Sequence, residues 1–94
     1  MILHQGGKQH KIKGLLDTGC SVLLINQEIV AQLELPLREH RQKRIIENFE
    51  GKQVKGAGRH YTDPLLLQHC RHYSKEIFEV SPMEVKIDVF LPFK

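Results

Sequence analysis

The chain has no tryptophan, only two cysteines, and aromatic residues make up just 6% of its 94 positions. With so few large rings, its core has to be built mainly from aliphatic side chains. Two cysteines, Cys20 and Cys70, are too few for a disulfide framework. They can close one bridge or remain thiols, and their separation fits no metal-ligand spacing. No run approaches the roughly 18 consecutive apolar residues that a membrane-crossing helix requires. The start turns polar after Leu3, which reads as no secretory leader, so a cytoplasmic or nuclear location is the default expectation. Charge of one sign is also scarce. The formal balance is +3 with histidines neutral, which implies only a mild attraction to acidic surfaces. The densest positive stretch is Arg38, Arg41, Lys43 and Arg44 with His40. Glu39 interrupts it, and a solvated loop or strand edge is its expected role. No membrane and no nucleic-acid role is expected for this domain.

Ninety-four residues make one small domain at most. A chain this short buries only about 60–70% of the surface its unfolded form exposes, so it gains from self-association. Gly6-Gly7 reads as a tight turn, with Ile2 to Leu3 on one strand and His10 to Leu16 on its hairpin partner. Val22 to Ile25 is a short apolar run expected as strand. Asn26 is placed as the N-cap of a helix of about two turns, with Glu28 in its first turn and Pro36 as its stop. Ile25, Ile29 and Leu33 share one face of it. Beyond Pro36 the pattern is one of short strands. Arg44 to Ile46 leads to a hairpin tip, residues 52–62 are polar with Gly56 and Gly58, and Pro64 opens the strand Leu65 to Gln68. His69 to Ser74 reads as a polar turn, Glu76 to Val80 as strand, and Ser81-Pro82 as its break. Val85, Ile87, Val89 and Leu91 alternate with other residues, the clearest period-two signal in the chain. Many short strands at regular spacing with one small helix predict a mainly β barrel or sandwich.

The chemistry-bearing segment is Leu15-Leu16-Asp17-Thr18-Gly19-Cys20-Ser21. Two apolar residues deliver a carboxylate to the end of a strand, and small residues follow before another apolar strand. An Asp near a Gly is common in ordinary turns, so the triplet alone is a weak signal. Its context is more specific. The run from Gly14 to Asn26 resembles the active-site segment of retropepsins, the aspartic proteases of gypsy-type (LTR) retrotransposon polyproteins, especially fungal ones. Residues 57–67, 76–82 and 87–92 are similar to later strands of that family. The resemblance covers about residues 6–92 of a single domain, 1–94.

The resemblance implies a closed or partly open retropepsin-like β-barrel with one short helix. It implies peptide-bond hydrolysis by two aspartates sharing a proton. The chain has one Asp-Thr-Gly, so the second aspartate would be Asp17 of another copy, and a homodimer acting on a peptide or polyprotein substrate is expected. Thr18 would bond across the dimer, and Gly19 would donate its amide to the carboxylate. A substrate-covering flap would fall on Asn48, Phe49, Glu50 and Gly51. Family members carry an apolar-apolar-Gly motif and a helix near the C-terminus. Here Pro92 stands where Gly is expected, and a fragment lacking the terminal helix and dimer strand is anticipated. A catalytically silent relic or peptide-binding β module is the alternative. His60, His69, Cys70 and His72 lack the paired spacing of zinc ligands, so no metal and no cofactor is expected. Cys20 has no base to make it a nucleophile. Asp63 and Asp88 are read as a turn carboxylate and a polar-face strand residue.

Overall fold

The computed structural model describes residues 1–17, 22–47, 52–82 and 87–92. It begins with a hairpin. Strands β1 (Ile2–Gln5) and β2 (Lys8–Lys11) pair antiparallel around Gly6 and Gly7, which take φ values of 58° and 79°. Two successive positive φ values define a two-residue turn that glycine enters without a Cβ penalty. The expected turn is therefore present. Its second strand is shorter than expected, because the chain leaves the hairpin at buried Ile12. Residues Gly14–Asp17 form a separate strand, β3, in a different sheet.

Next come β4 (Leu24–Asn26) and helix α1 (Gln27–Gln32). Asn26 caps the helix as expected, its Oδ1 accepting from the Glu28 amide at 3.0 Å, which satisfies one of the helix's orphan donors. Only Val30 of the helix is fully buried, with Ile29 and Leu33 packed partly against the core. Glu34, at φ 51°, turns the chain before Pro36 is reached. The remaining strands are β5 (Leu37–Glu39), β6 (His60–Thr62), β7 (Leu65–His69), β8 (His72–Glu76), β9 (Glu79–Ser81) and β10 (Val89–Pro92). Arg44 to Ile46 forms no strand; beside it is an isolated bridge between Glu47 and Gln53. The predicted polar turn at 69–74 shrinks to residues 70–71, and the expected strand 76–80 breaks at residues 77–78.

The strands form two sheets, a four-stranded one in the order β2-β1-β7-β8 and a six-stranded one in the order β3-β10-β4-β9-β6-β5. The fold is mainly β, and among the described residues there is no closed barrel. Leu3, Leu65 and Leu67 of the first sheet join Ile25, Val80 and Val89 of the second in one core, with Phe78 fully buried among them. The chain crosses between the sheets at residues 63–64 and again at 77–78. The crossings are tied together: the Thr62 amide donates to Phe78 O (2.9 Å) and the Phe78 amide to Thr62 Oγ1 (3.1 Å).

The described residues 40–47 and 52–59 belong to an arm between β5 and β6. Its base is closed by the His40 amide donating to Arg59 O and the Arg44 amide to Gly58 O, both at 2.9 Å. Its buried residues Ile46 and Ala57 stand apart from the main core. Gly58 has φ 91°, and a Cβ there would lie 1.9 Å from Arg44 O. Gly58→Ala is expected to cost roughly 2–3 kcal/mol, since backbone strain is added to a carbonyl clash. Gly6→Ala meets nothing within 4 Å and should cost only about 1 kcal/mol from its φ alone. Urea unfolding of both variants checks this, and equal losses would refute the close-approach argument.

Candidate active site

Asp17 is the last residue of β3, an edge strand whose one strand neighbour among the described residues is β10. The two run parallel, with Leu91 opposite Leu16 and Pro92 opposite Asp17. On its other side β10 runs antiparallel to β4, pairing Phe90 with Leu24 and Val89 with Ile25. Thus β3 and β4, consecutive in the chain, are not neighbours in the sheet. Asp17 therefore stands where one strand ends and a connection begins, at the margin of the sheet.

Several bonds fix this frame. Asp88 clamps the start of β3 to the start of β10: the Lys13 amide donates to Asp88 Oδ2 at 2.7 Å, and the Asp88 and Val89 amides donate back to Lys13 O at 2.9 and 3.1 Å. The Asp88 carbonyl also accepts from the Asn26 amide (2.7 Å), and Asn26 Nδ2 donates to Ile87 O (3.2 Å). Glu79 holds the far end of the connection, its amide donating to Leu23 O at 2.9 Å. Pro92 has no N–H to give, but at that level β10 has already passed the first paired residue of β4. No ladder bond is asked of it on that side.

Of the residues singled out in the sequence, the structure places Asp17 at the strand end. Thr18, Gly19 and Cys20 lie outside the described residues, as do Asn48, Phe49, Glu50 and Gly51. Asp63 is a turn residue as expected, and it accepts a hydrogen bond from Arg38 Nε. That bond, reinforced by the charge of Asp63, raises the Arg38 guanidinium above its ordinary value. Asp88 is no mere polar-face residue, since it organises the joint just described. Cys70 is an exposed free thiol at φ 56° in the β7–β8 turn. Among the described residues, no three His, Cys, Asp or Glu side chains converge as metal ligands.

Glu79 escaped the sequence reading, and His40, read there as part of a solvated stretch, has its side chain largely buried against it. Glu79 is buried in a central strand, and its Oε1 lies 2.6 Å from His40 Nε2, with the two side chains only 10% and 11% exposed. The His40 ring also lies against Tyr61, centroids 4.5 Å apart. The signal available was a lone acid between Phe78 and Val80, in an otherwise apolar stretch. A cavity of about 520 Å³, lined by Arg38, Tyr61, Asp63, Pro64 and Ile77 among others, opens beside β5 and β6. Those strands are at the far edge of the sheet from Asp17, so the cavity is remote from the candidate carboxylate. Comparison with protein-family models, curated proteins and solved structures gives no match.

Proposed function

We propose that this chain is a retropepsin-like aspartic endopeptidase domain, active as a homodimer in which Asp17 of each copy faces the other. The observation that carries the reading is the position of Asp17. It ends an edge strand whose outer side has no strand partner among the described residues, which leaves that side of the strand open to a second copy. The parallel β10 pairs with that strand end, and the Asp88 clamp anchors the strand at its start. Peptide hydrolysis needs one group to take a proton from water and another to give one to the departing nitrogen. Two carboxylates brought close cannot both ionise easily, so one holds the proton while the other acts as base. A two-fold axis supplies that pair from one aspartate per chain. In this reading the two sheets form the retropepsin-like barrel, Thr18 and Gly19 complete the loop, and residues 48–51 at the end of the 40–59 arm cover the substrate. No cofactor enters the chemistry.

The test is hydrolysis of unstructured peptides in the acid range across a series of protein concentrations. At concentrations where monomers predominate, the rate is expected to rise nearly as the square of the protein concentration. A pepstatin-type transition-state analogue is expected to stop it. A strictly linear rise from the most dilute sample, with no effect of the analogue, would remove the shared-aspartate mechanism.

A further inference from the structure

The four-stranded sheet turns Leu3, Leu65 and Leu67 into the core. Its opposite face is covered by no other element of the described chain. Strand register sets which residues that face carries. Ile2, His4 and Leu66 occupy its centre. Gln9 and Lys11 lie on the β2 edge, and Tyr73 and Lys75 on the β8 edge. No residue of the four strands that points this way is acidic. The one carboxylate in these strands, Glu76, pairs with buried Leu65 and so points to the other side.

The centre of this face is organised. Gln68 Nε2 donates to Cys70 O at 3.2 Å, which fixes the amide and leaves Oε1 to accept from His4 Nε2 at 2.9 Å. The His4 ring is thereby oriented, and it lies 5.9 Å from the Tyr73 ring at an interplanar angle of 37°. Tyr73 nevertheless remains 59% exposed. The result is an ordered aromatic pair with an open ring face, flanked by a lysine on each edge strand. The two edges are three strand spacings apart, about 14 Å at roughly 4.8 Å per strand.

We propose that this face binds single-stranded nucleic acid, with a base stacked on Tyr73 and backbone phosphates held by Lys11 and Lys75. Bases offer flat π surfaces to an exposed ring whatever their sequence, and lysines on both flanks complement the phosphate chain. In a duplex the base faces are occupied by their neighbours, which leaves Tyr73 nothing to stack on. An acidic peptide would use the lysines but gives the ordered ring pair no role. An anionic membrane would call for protruding apolar side chains, whereas Ile2 and Leu66 are half-buried in the sheet. This interaction is independent of Asp17 and of any peptide hydrolysis.

The experiment is fluorescence polarisation of a labelled single-stranded oligouridylate or oligothymidylate against the full chain, between 50 and 200 mM salt. Binding is expected, with a log–log salt slope of about −1.4 for two ion pairs. Tyr73→Ala should weaken it roughly 5- to 100-fold, the loss of one stacked base, while Tyr73→Phe keeps the affinity. Because the side chain is exposed, circular dichroism should be unchanged in both. Lys11→Ala with Lys75→Ala should flatten the salt slope. Arg41→Ala with Lys43→Ala and Arg44→Ala, on the 40–59 arm, should change little. The proposal is overturned by absence of binding at 50 mM salt, or by affinity indifferent to Tyr73→Ala. It is equally overturned by loss confined to the arm variant, or by equal binding of duplex, heparin, an acidic peptide or anionic vesicles.

Discussion

Asp17→Asn is expected to lower peptide hydrolysis by roughly 10²–10⁴-fold, the span of a lost general acid–base group, while leaving thermal unfolding unchanged. Asparagine matches aspartate in size but neither ionises nor carries an acidic proton. Its place at the end of β3 rests on backbone pairing with β10, which the exchange leaves intact. The shared-proton scheme makes a second demand. The two carboxylates titrate as one unit, so a site with a single aspartate is not half active. When equal amounts of variant and unmodified chain are allowed to exchange partners, about a quarter of the dimers retain both aspartates. Activity should fall to that fraction of the value for unmodified chain at the same total protein concentration. A fall only to half would mean that each copy works alone, and undiminished cleavage by the variant would place the chemistry elsewhere.

His40→Ala should destabilise the fold by roughly 3–5 kcal/mol, because it leaves the Glu79 carboxylate buried without its partner. Glu79 belongs to β9, between β4 and β6, where surrounding backbone and apolar side chains exclude water. Among the described residues, His40 Nε2 is its side-chain partner. The loss of the ring against Tyr61 adds to the effect. Glu79→Gln retains an acceptor for His40 and should cost far less, about 1 kcal/mol, the scale of one altered hydrogen bond. Removing both partners, as His40→Ala with Glu79→Leu, should recover most of the loss, since no orphaned charge remains. A thermodynamic cycle from denaturant unfolding measures the coupling. A single-variant loss below about 0.5 kcal/mol, within the range of ordinary surface changes, would show that the carboxylate is better solvated than its burial indicates.

These two predictions draw on different depths of legibility. Asp17 at a strand end could be read directly, because Leu15-Leu16 ahead of it and small residues behind it are a local pattern. The Gly6-Gly7 turn, the Asn26 cap and the buried Leu65–Leu67 strand were equally local. The His40–Glu79 pair joins residues 39 positions apart, and nothing near either one announces the other. The same holds for β3. Alternation carries on through Lys11, Ile12 and Lys13, and Gly14 alone does not distinguish a bulge within one strand from a break between two, so the passage from one sheet to the other could not be seen. The decisive event there is the hydrogen-bond exchange between the Lys13 backbone and the Asp88 carboxylate and amide, a contact of long sequence separation. Arg44 to Ile46 looked like strand because two β-branched residues are adjacent. Ile46 instead turns inward within the arm while Ile45 is 69% exposed, and only one bridge forms nearby.

The insertion of β10 between β3 and β4 also sets a schedule. A ribosome delivers residues 14–17 long before residues 89–92, yet β3 has no strand neighbour among the described residues until β10 arrives, whereas β4 can already pair with β9. Loop closure across so many residues is slow compared with local pairing. Any product halted before residue 89 would hold the β1–β2 hairpin and helix α1 but leave the Asp17 strand without a neighbour. Of the described strands, the one that ends in the candidate carboxylate is thus the last to gain a neighbour, since β10 is the last of them to emerge.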